Sequence, residues 1–254
     1  IQVEYEVLPF VANMKEALSS GSAKVHSGGN RADSDSYRRG DPDRGFQQAD
    51  AVLERDYSTA AELHTPMELH GCVANWEGSS LTVWESTQGV FAVQAKLAEV
   101  LSMPLSRVRV IGHYLGGGFG SKLETGKYSV LAALLARKTG KPVKMFLTRE
   151  ETYLTCGNRP PSSMRLKAGA KRDGTLTALQ LSCTGTGGAY PAGGIALMDW
   201  LIRDQYTCPN VATECTDVFI NTGPARPFRA PGHPQGSWAL EQMLDELAEK
   251  VGMD

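Results

Sequence analysis

Seven consecutive residues, Gly116-Gly117-Gly118-Phe119-Gly120-Ser121-Lys122, put four glycines into a five-residue window. Glycine permits positive φ and lets another group come close to the main chain. The hydrophobic pattern places a strand at 107–112 before the window and a helix at 126–138 after it. Strand, glycine turn and helix together commonly present N–H groups to an anion. The spacing is not that of a P-loop, because Ser121 precedes Lys122 and Leu123 follows. It is also a poor dinucleotide fingerprint, since Ser121 occupies the third glycine place. A tight turn packed between strand and helix would use the same glycines. Fixing three adjacent ones costs chain entropy, which favours a binding role.

Two further segments carry usable chemistry. Ser86-Thr87-Gln88-Gly89 ends a strand and opens a helix, and Gln88 brings two amide donors and one acceptor. A helix cap or a solvated turn explains Gln88 equally well from sequence. Residues 223–236 contain four prolines and three glycines in fourteen positions, with Arg226 and Arg229 inside them, ahead of a helix. A stiff loop with arginines and free N–H groups suits an anionic ligand, and a proline-braced connection with solvated arginines suits it as well. His64, His70 and His113 show no metal-ligand spacing. No CxxC pairs the five cysteines, so buried reduced thiols are expected. There is no G-x-S-x-G elbow.

The elements that must position these segments mix strands and helices without a strict βαβ repeat, which predicts an α+β fold. Strands are expected at 2–8, 51–57, 71–76, 80–87, 107–112, 143–147, 164–171, 176–184 and 218–220. The 164–171 and 176–184 pair is a hairpin around Asp173-Gly174. Helices are expected at 13–18, 41–49, 90–101, 126–138 and from about 235. The helix at 126–138 is apolar almost all round and is expected to be buried. Residues 19–44, polar and rich in Gly, Ser, Asp and Arg, read as a long exposed connection. The net charge of −2, from 26 basic and 28 acidic residues, argues against nucleic acid or an anionic membrane as main partner. No apolar run is long enough to span a bilayer. The chain begins with Ile1 rather than Met, and both ends read as interior points of a longer chain.

The ordered set of segments is similar to the molybdenum-cofactor-binding subunit of the xanthine dehydrogenase/aldehyde oxidase family of molybdenum hydroxylases. It runs from Tyr57-Ser58-Thr59-Ala60-Ala61-Glu62-Leu63-His64-Thr65-Pro66-Met67-Glu68 through Ser86-Thr87-Gln88 and the glycine window to Phe228-Arg229-Ala230-Pro231-Gly232. The resemblance implies the end of a hammerhead-like α/β domain at 1–18, a linker at 19–50 and the first molybdopterin-binding domain at 51–254. It implies a molybdenum–molybdopterin cofactor, in the cytosine dinucleotide form by analogy with bacterial relatives. Iron–sulfur and FAD groups would sit on partner subunits or domains, and the compartment would be cytoplasmic. Gln88 would donate its amide to an oxo group of the metal. Gly117, Gly118, Phe119 and Gly120 would approach metal and pterin with main-chain atoms, and Arg229 would lie near cofactor and substrate. No side chain is expected to ligate the metal, because the pterin holds it.

The implied reaction is hydroxylation of an aldehyde or N-heteroaromatic substrate with water-derived oxygen. Its general base is a glutamate expected beyond Asp254, so the 254-residue segment alone is expected to be inactive. A reductive member acting on an aromatic thioester, or a non-catalytic assembly or binding module, would share these segments. Three substrate-pocket positions depart from the purine-hydroxylating members. Leu123 stands where they carry Glu, Leu197 falls where they carry Arg, and Pro231 stands where they carry Phe. Xanthine is therefore expected to be a poor substrate. The cysteine-bearing loop of the carbon-monoxide-oxidising branch is absent, which disfavours a copper–molybdenum site.

Overall fold

A computed structural model describes residues 2–195 and 197–253. The chain forms two units. One comprises Ile1–Glu62, Arg159–Ala225 and Ala230–Asp254, and the other Leu63–Asn158 with Arg226–Arg229.

The first unit is built on a five-stranded sheet. Its strands are β1 (Arg31–Arg39), β2 (Ala51–Thr59), β7 (Ser162–Ala170), β8 (Leu176–Gly188) and β9 (Val211–Phe219), in the order β1-β9-β8-β7-β2. Only the β8–β9 pair is parallel. The β7–β8 hairpin turns where the Asp173-Gly174 signal places it. Gly174 takes φ +83°, and the Thr175 N–H donates to Asp173 Oδ1 at 3.0 Å. Helix α7 (His233–Val251) lays Ala239, Leu240, Met243 and Leu247 into one core with Leu53, Met164, Leu166, Leu179 and Leu181. That face repeats at helical spacing, which is why the helix is legible in the sequence. Short helices α1 (Met14–Ala17), α2 (Pro42–Gln47) and α6 (Trp200–Asp204) complete the unit.

Two expectations fail here. Residues 19–50 are not a linker, because β1 lies inside them and pairs with β9 over nearly its whole length. The strand is polar (Arg-Ala-Asp-Ser-Asp-Ser-Tyr-Arg-Arg) and mostly exposed, as an edge strand can be, so no apolar alternation announces it. Residues 2–8 form no strand. Val3, Tyr5 and Val7 do alternate, but all three are exposed, and among the described residues no neighbouring strand takes up their backbone groups. Farther along, Val11 and Ala17 pack with Val218 and Ile220 in a small core of this unit.

The second unit carries a four-stranded sheet of order β5-β4-β3-β6, with β3 (Gly71–Glu77), β4 (Ser80–Glu85), β5 (Val108–Ile111) and β6 (Val143–Phe146). Its core joins Cys72, Ala74, Leu81 and Val83 of the sheet to Val93 and Leu97 of α3 (Val90–Val100) and to Ala132, Ala133 and Ala136 of α4 (Lys127–Thr139). Gly140 closes α4 in the left-handed conformation. The expected all-round burial of α4 is corrected: Leu131, Leu134 and Leu135 are exposed, because the sheet covers only the alanine face. Helix α5 (Arg149–Thr155) is not expected from apolar periodicity, yet Thr148 and Glu151 form a capping box. That Thr-x-x-Glu spacing is its available signal. All five cysteines are free, and only Cys156 is not buried. No described helix is long and apolar enough to cross a membrane.

Candidate functional site

The glycine window lies in the second unit between β5 and α4. Helix α4 begins at Lys127, one residue after its expected start, so the window itself caps no helix. Three of its glycines instead clear space for neighbouring protein. An ideal Cβ on Gly116 would lie 2.5 Å from Glu68 Cβ, one on Gly118 would lie 2.4 Å from Gln88 Oε1, and one on Gly120 would lie 2.0 Å from the Pro227 carbonyl oxygen. Gly120 also takes φ +112° and Phe119 φ +54°. A non-glycine residue held in that region costs about 1–2 kcal/mol, and the contacts around the loop must offset it.

Those contacts bring most of the expected site residues together. The Gln88 Oε1 accepts from the Gly120 N–H at 2.8 Å and the Lys122 N–H at 3.4 Å. The Gln88 N–H donates to the Lys122 carbonyl at 2.8 Å. The Arg229 N–H donates to the Phe119 carbonyl at 2.9 Å. Residues 226–229 are tied down by Arg226, which pairs with Glu124, and by the Pro227 carbonyl, 2.8 Å from His64 Nε2. Arg226 is thereby committed to protein, and Arg229 is the arginine that the loop's carbonyl meets.

Several donors of the loop are left over. Gln88 uses its carbonyl inward, and its Nε2 donates to no described residue. The consecutive N–H groups of Gly117, Gly118 and Phe119 likewise have no acceptor among the described residues. Three adjacent amides in alternating backbone conformations form a concave donor set for an anion. Together with the Gln88 amide they fit an acceptor-rich group such as a metal–pterin centre. Among the described residues no group of three His, Cys, Asp or Glu side chains could hold a metal ion.

Behind the loop sits a charged pair whose pairing nothing in the sequence signals. The Lys122 side chain is fully buried, and its Nζ donates to the Glu68 carbonyl at 2.8 Å and to Glu68 Oε2 at 3.1 Å. The same Oε2 accepts from Ser86 Oγ at 2.6 Å and the Gly116 N–H at 2.9 Å. Burial raises the Glu68 pKa, but the Ser86, Gly116 and Lys122 hydrogen bonds outweigh it and hold the carboxyl below its ordinary value. Lys122 is thus a brace and not a phosphate hook. Nearby, burial pushes Glu85 up to about 7 against the hydrogen bond from Ser129. Burial and the Lys122 charge push His70 down to about 4.

The three positions expected from the resemblance to line a substrate pocket are Leu123 in the second unit and Leu197 and Pro231 in the first. Leu123 follows the loop with its side chain partly exposed. Leu197 and Pro231 belong to the first unit, Leu197 with φ +64° and Pro231 ahead of α7, its carbonyl 2.9 Å from His233 Nδ1.

A family model described as a molybdopterin cofactor-binding domain matches residues 25–254. The chain is 35% identical over 258 residues to a subunit of the probable xanthine dehydrogenase of Bacillus subtilis (strain 168), covering all of this chain and 34% of that protein. It is 36% identical to the nicotinate dehydrogenase large molybdopterin subunit of Eubacterium barkeri, over all of this chain and 60% of the relative. The structure of quinoline 2-oxidoreductase from Pseudomonas putida 86 aligns with TM-score 0.89 and 28% identity, over all of this chain and 33% of that one. The chain therefore spans less than two thirds of each of these proteins.

Proposed function

Because the chain belongs to the molybdopterin cofactor-binding domain family, we propose that it forms part of the cofactor cradle of a molybdenum hydroxylase acting on an aldehyde or N-heteroaromatic substrate. When bound, the metal–pterin group supplies hydroxylation with water-derived oxygen and accepts the two electrons released. The chain's own contribution is orientation and electrostatics. Gln88 offers its amide N–H groups from a side chain whose carbonyl is already fixed on Gly120 and Lys122. Gly117, Gly118 and Phe119 offer backbone donors. Such preorganised donors need no rearrangement when charge develops, which is the main source of their effect. Arg229 holds the Phe119 carbonyl through its own N–H and so keeps the strained turn in place.

The observation that carries this reading is the unclaimed donor set around Gln88. Names of relatives support the substrate classes: one acts on nicotinate and another on quinoline, both nitrogen heteroaromatics. The cytosine dinucleotide form and the iron–sulfur and flavin partners are part of the proposal by kinship. The test is metal analysis and release of fluorescent pterin from the protein expressed at full natural length. It is followed by dye-linked turnover of nicotinate, quinoline and an aromatic aldehyde. Molybdenum near stoichiometry and turnover of one class are expected, with none from the 254-residue segment alone. A metal-free, pterin-free full-length protein would sink the reading.

A further inference from the structure

His70 immediately precedes β3, is only 2% exposed, and places its Nε2 3.1 Å from Ser121 Oγ. The Ser121 hydroxyl donates to the Gly118 carbonyl at 2.8 Å. A hydroxyl has one proton, and here it is spent on Gly118. Ser121 can then only accept from the imidazole, so His70 carries its proton on Nε2 and presents a bare Nδ1. That Nδ1 is buried and has no partner among the described residues. His70 lines a cavity with room for about one water. Thr152 lines the same cavity, and its Oγ1 is also buried and unpartnered. A water accepting from Thr152 and donating to Nδ1 would satisfy both groups.

We propose that His70, as the neutral Nε2–H tautomer, is the positioning residue of the glycine loop, acting through Ser121 on the Gly118 carbonyl, with one water held between His70 Nδ1 and Thr152 Oγ1. The Gly118 carbonyl belongs to the peptide whose nitrogen is the Phe119 amide, so fixing one end of that peptide fixes the direction of the other. The Ser121 N–H donates to the same carbonyl at 2.9 Å, closing a turn that the relay holds shut. His70 touches no reacting group in this scheme. Its functional consequence rests on the reading that the Phe119 amide faces the metal–pterin group.

The test uses the full-length protein and the variants His70→Gln, His70→Phe, Ser121→Ala and Thr152→Val. Nitrogen-15 spectra of the parent should show His70 with an unprotonated Nδ1. Hydrogen exchange at the Gly120 and Ser121 amides should accelerate at least about tenfold in His70→Phe and Ser121→Ala. His70→Gln, which keeps an N–H donor near the Nε2 position, should restore most of the protection, and Thr152→Val should fall between. Molybdenum per protein should drop in the same order. A protonated Nδ1, or parent-like exchange in Ser121→Ala, would overturn the relay even if His70→Phe fails to fold. Tautomer and exchange are read with or without metal. Absence of molybdenum from the parent would therefore count against the proposed function alone, and normal loading with unchanged exchange would count against the relay alone.

Discussion

Gly118 and Gln88 are in such close contact that a Cβ on the glycine would lie 2.4 Å from Gln88 Oε1 and 2.7 Å from its Cδ. The same carboxamide oxygen holds the Gly120 N–H. Gly118→Ala is therefore expected to displace Gln88 and release Gly120 together. Overpacking of this kind costs about 1–3 kcal/mol, read as a lower midpoint in denaturant. The molybdenum content of the full-length protein should fall more steeply than stability, because the displaced amide is one of the donors proposed for the cofactor. Stability and loading both matching the parent would contradict the contact.

Much of this site is legible in the sequence, and the reason is specific to each residue. Gln88, Phe119, Gly120 and Arg229 sit on short segments whose order along the chain is itself the signal, and they meet within one unit. The glycines are legible as special, but their use differs from the expected one: Gly116, Gly118 and Gly120 make room for Glu68, Gln88 and Pro227 before they make room for any ligand. Glu68 and His70 are not legible. Their partners Lys122 and Ser121 lie more than 50 residues away, and nothing local marks a Glu or His as buried. β1 escapes for the opposite reason, since an exposed edge strand needs no hydrophobic alternation.

The Lys122–Glu68 pair should be asymmetric under mutation. Glu68→Ala leaves a fully buried ammonium with only the residue-68 carbonyl as partner among the described residues. Stranding a buried charge in this way costs about 3–5 kcal/mol. Lys122→Met removes the charge and keeps the bulk. Glu68 retains Ser86, the Gly116 N–H and some solvent, so a loss of about 1–2 kcal/mol is expected. A double-mutant cycle by chemical denaturation reads both costs and the coupling. Equal costs for the two single variants would remove the argument that Lys122 is a brace.

Xanthine should be turned over about a hundredfold less efficiently than the preferred aldehyde or heteroaromatic, the order of discrimination an apolar pocket reaches against a more polar substrate. Leu123 has a partly exposed alkyl side chain, at the position where the resemblance implies a carboxylate in purine-hydroxylating members. Leu123→Glu is expected to narrow the gap by raising kcat/KM for xanthine while lowering it for the preferred substrate. Efficient xanthine turnover by the parent would refute the assignment.

His70 and Glu85 give the second unit opposed pH dependences over nearly the same window. His70 falls from 6.5 to about 4 through burial first, then through Lys122 and with smaller contributions from His64 and Arg149. Between those values the unfolded chain takes up a proton that the folded one refuses, so lowering pH from 6.5 to 4 removes stability. Glu85 rises from 4.5 to about 7 through burial, opposed by Ser129. The folded carboxyl then holds a proton that the unfolded one has lost. That stability is complete below 4.5 and disappears as pH rises through 7, so lowering pH adds it. At about 1.4 kcal/mol per pKa unit each effect approaches roughly 3 kcal/mol, with opposite signs. The parent therefore shows little of either, and single variants should unmask them. Relative to parent, Glu85→Gln should lose stability between pH 7.5 and 4.5, and His70→Gln should gain it over the same interval. Subtracting the parent curve removes Asp217, whose carboxyl burial lifts to about 6 in the other unit. Difference curves of the same sign, or flat ones, would show that these two groups are not buried as described.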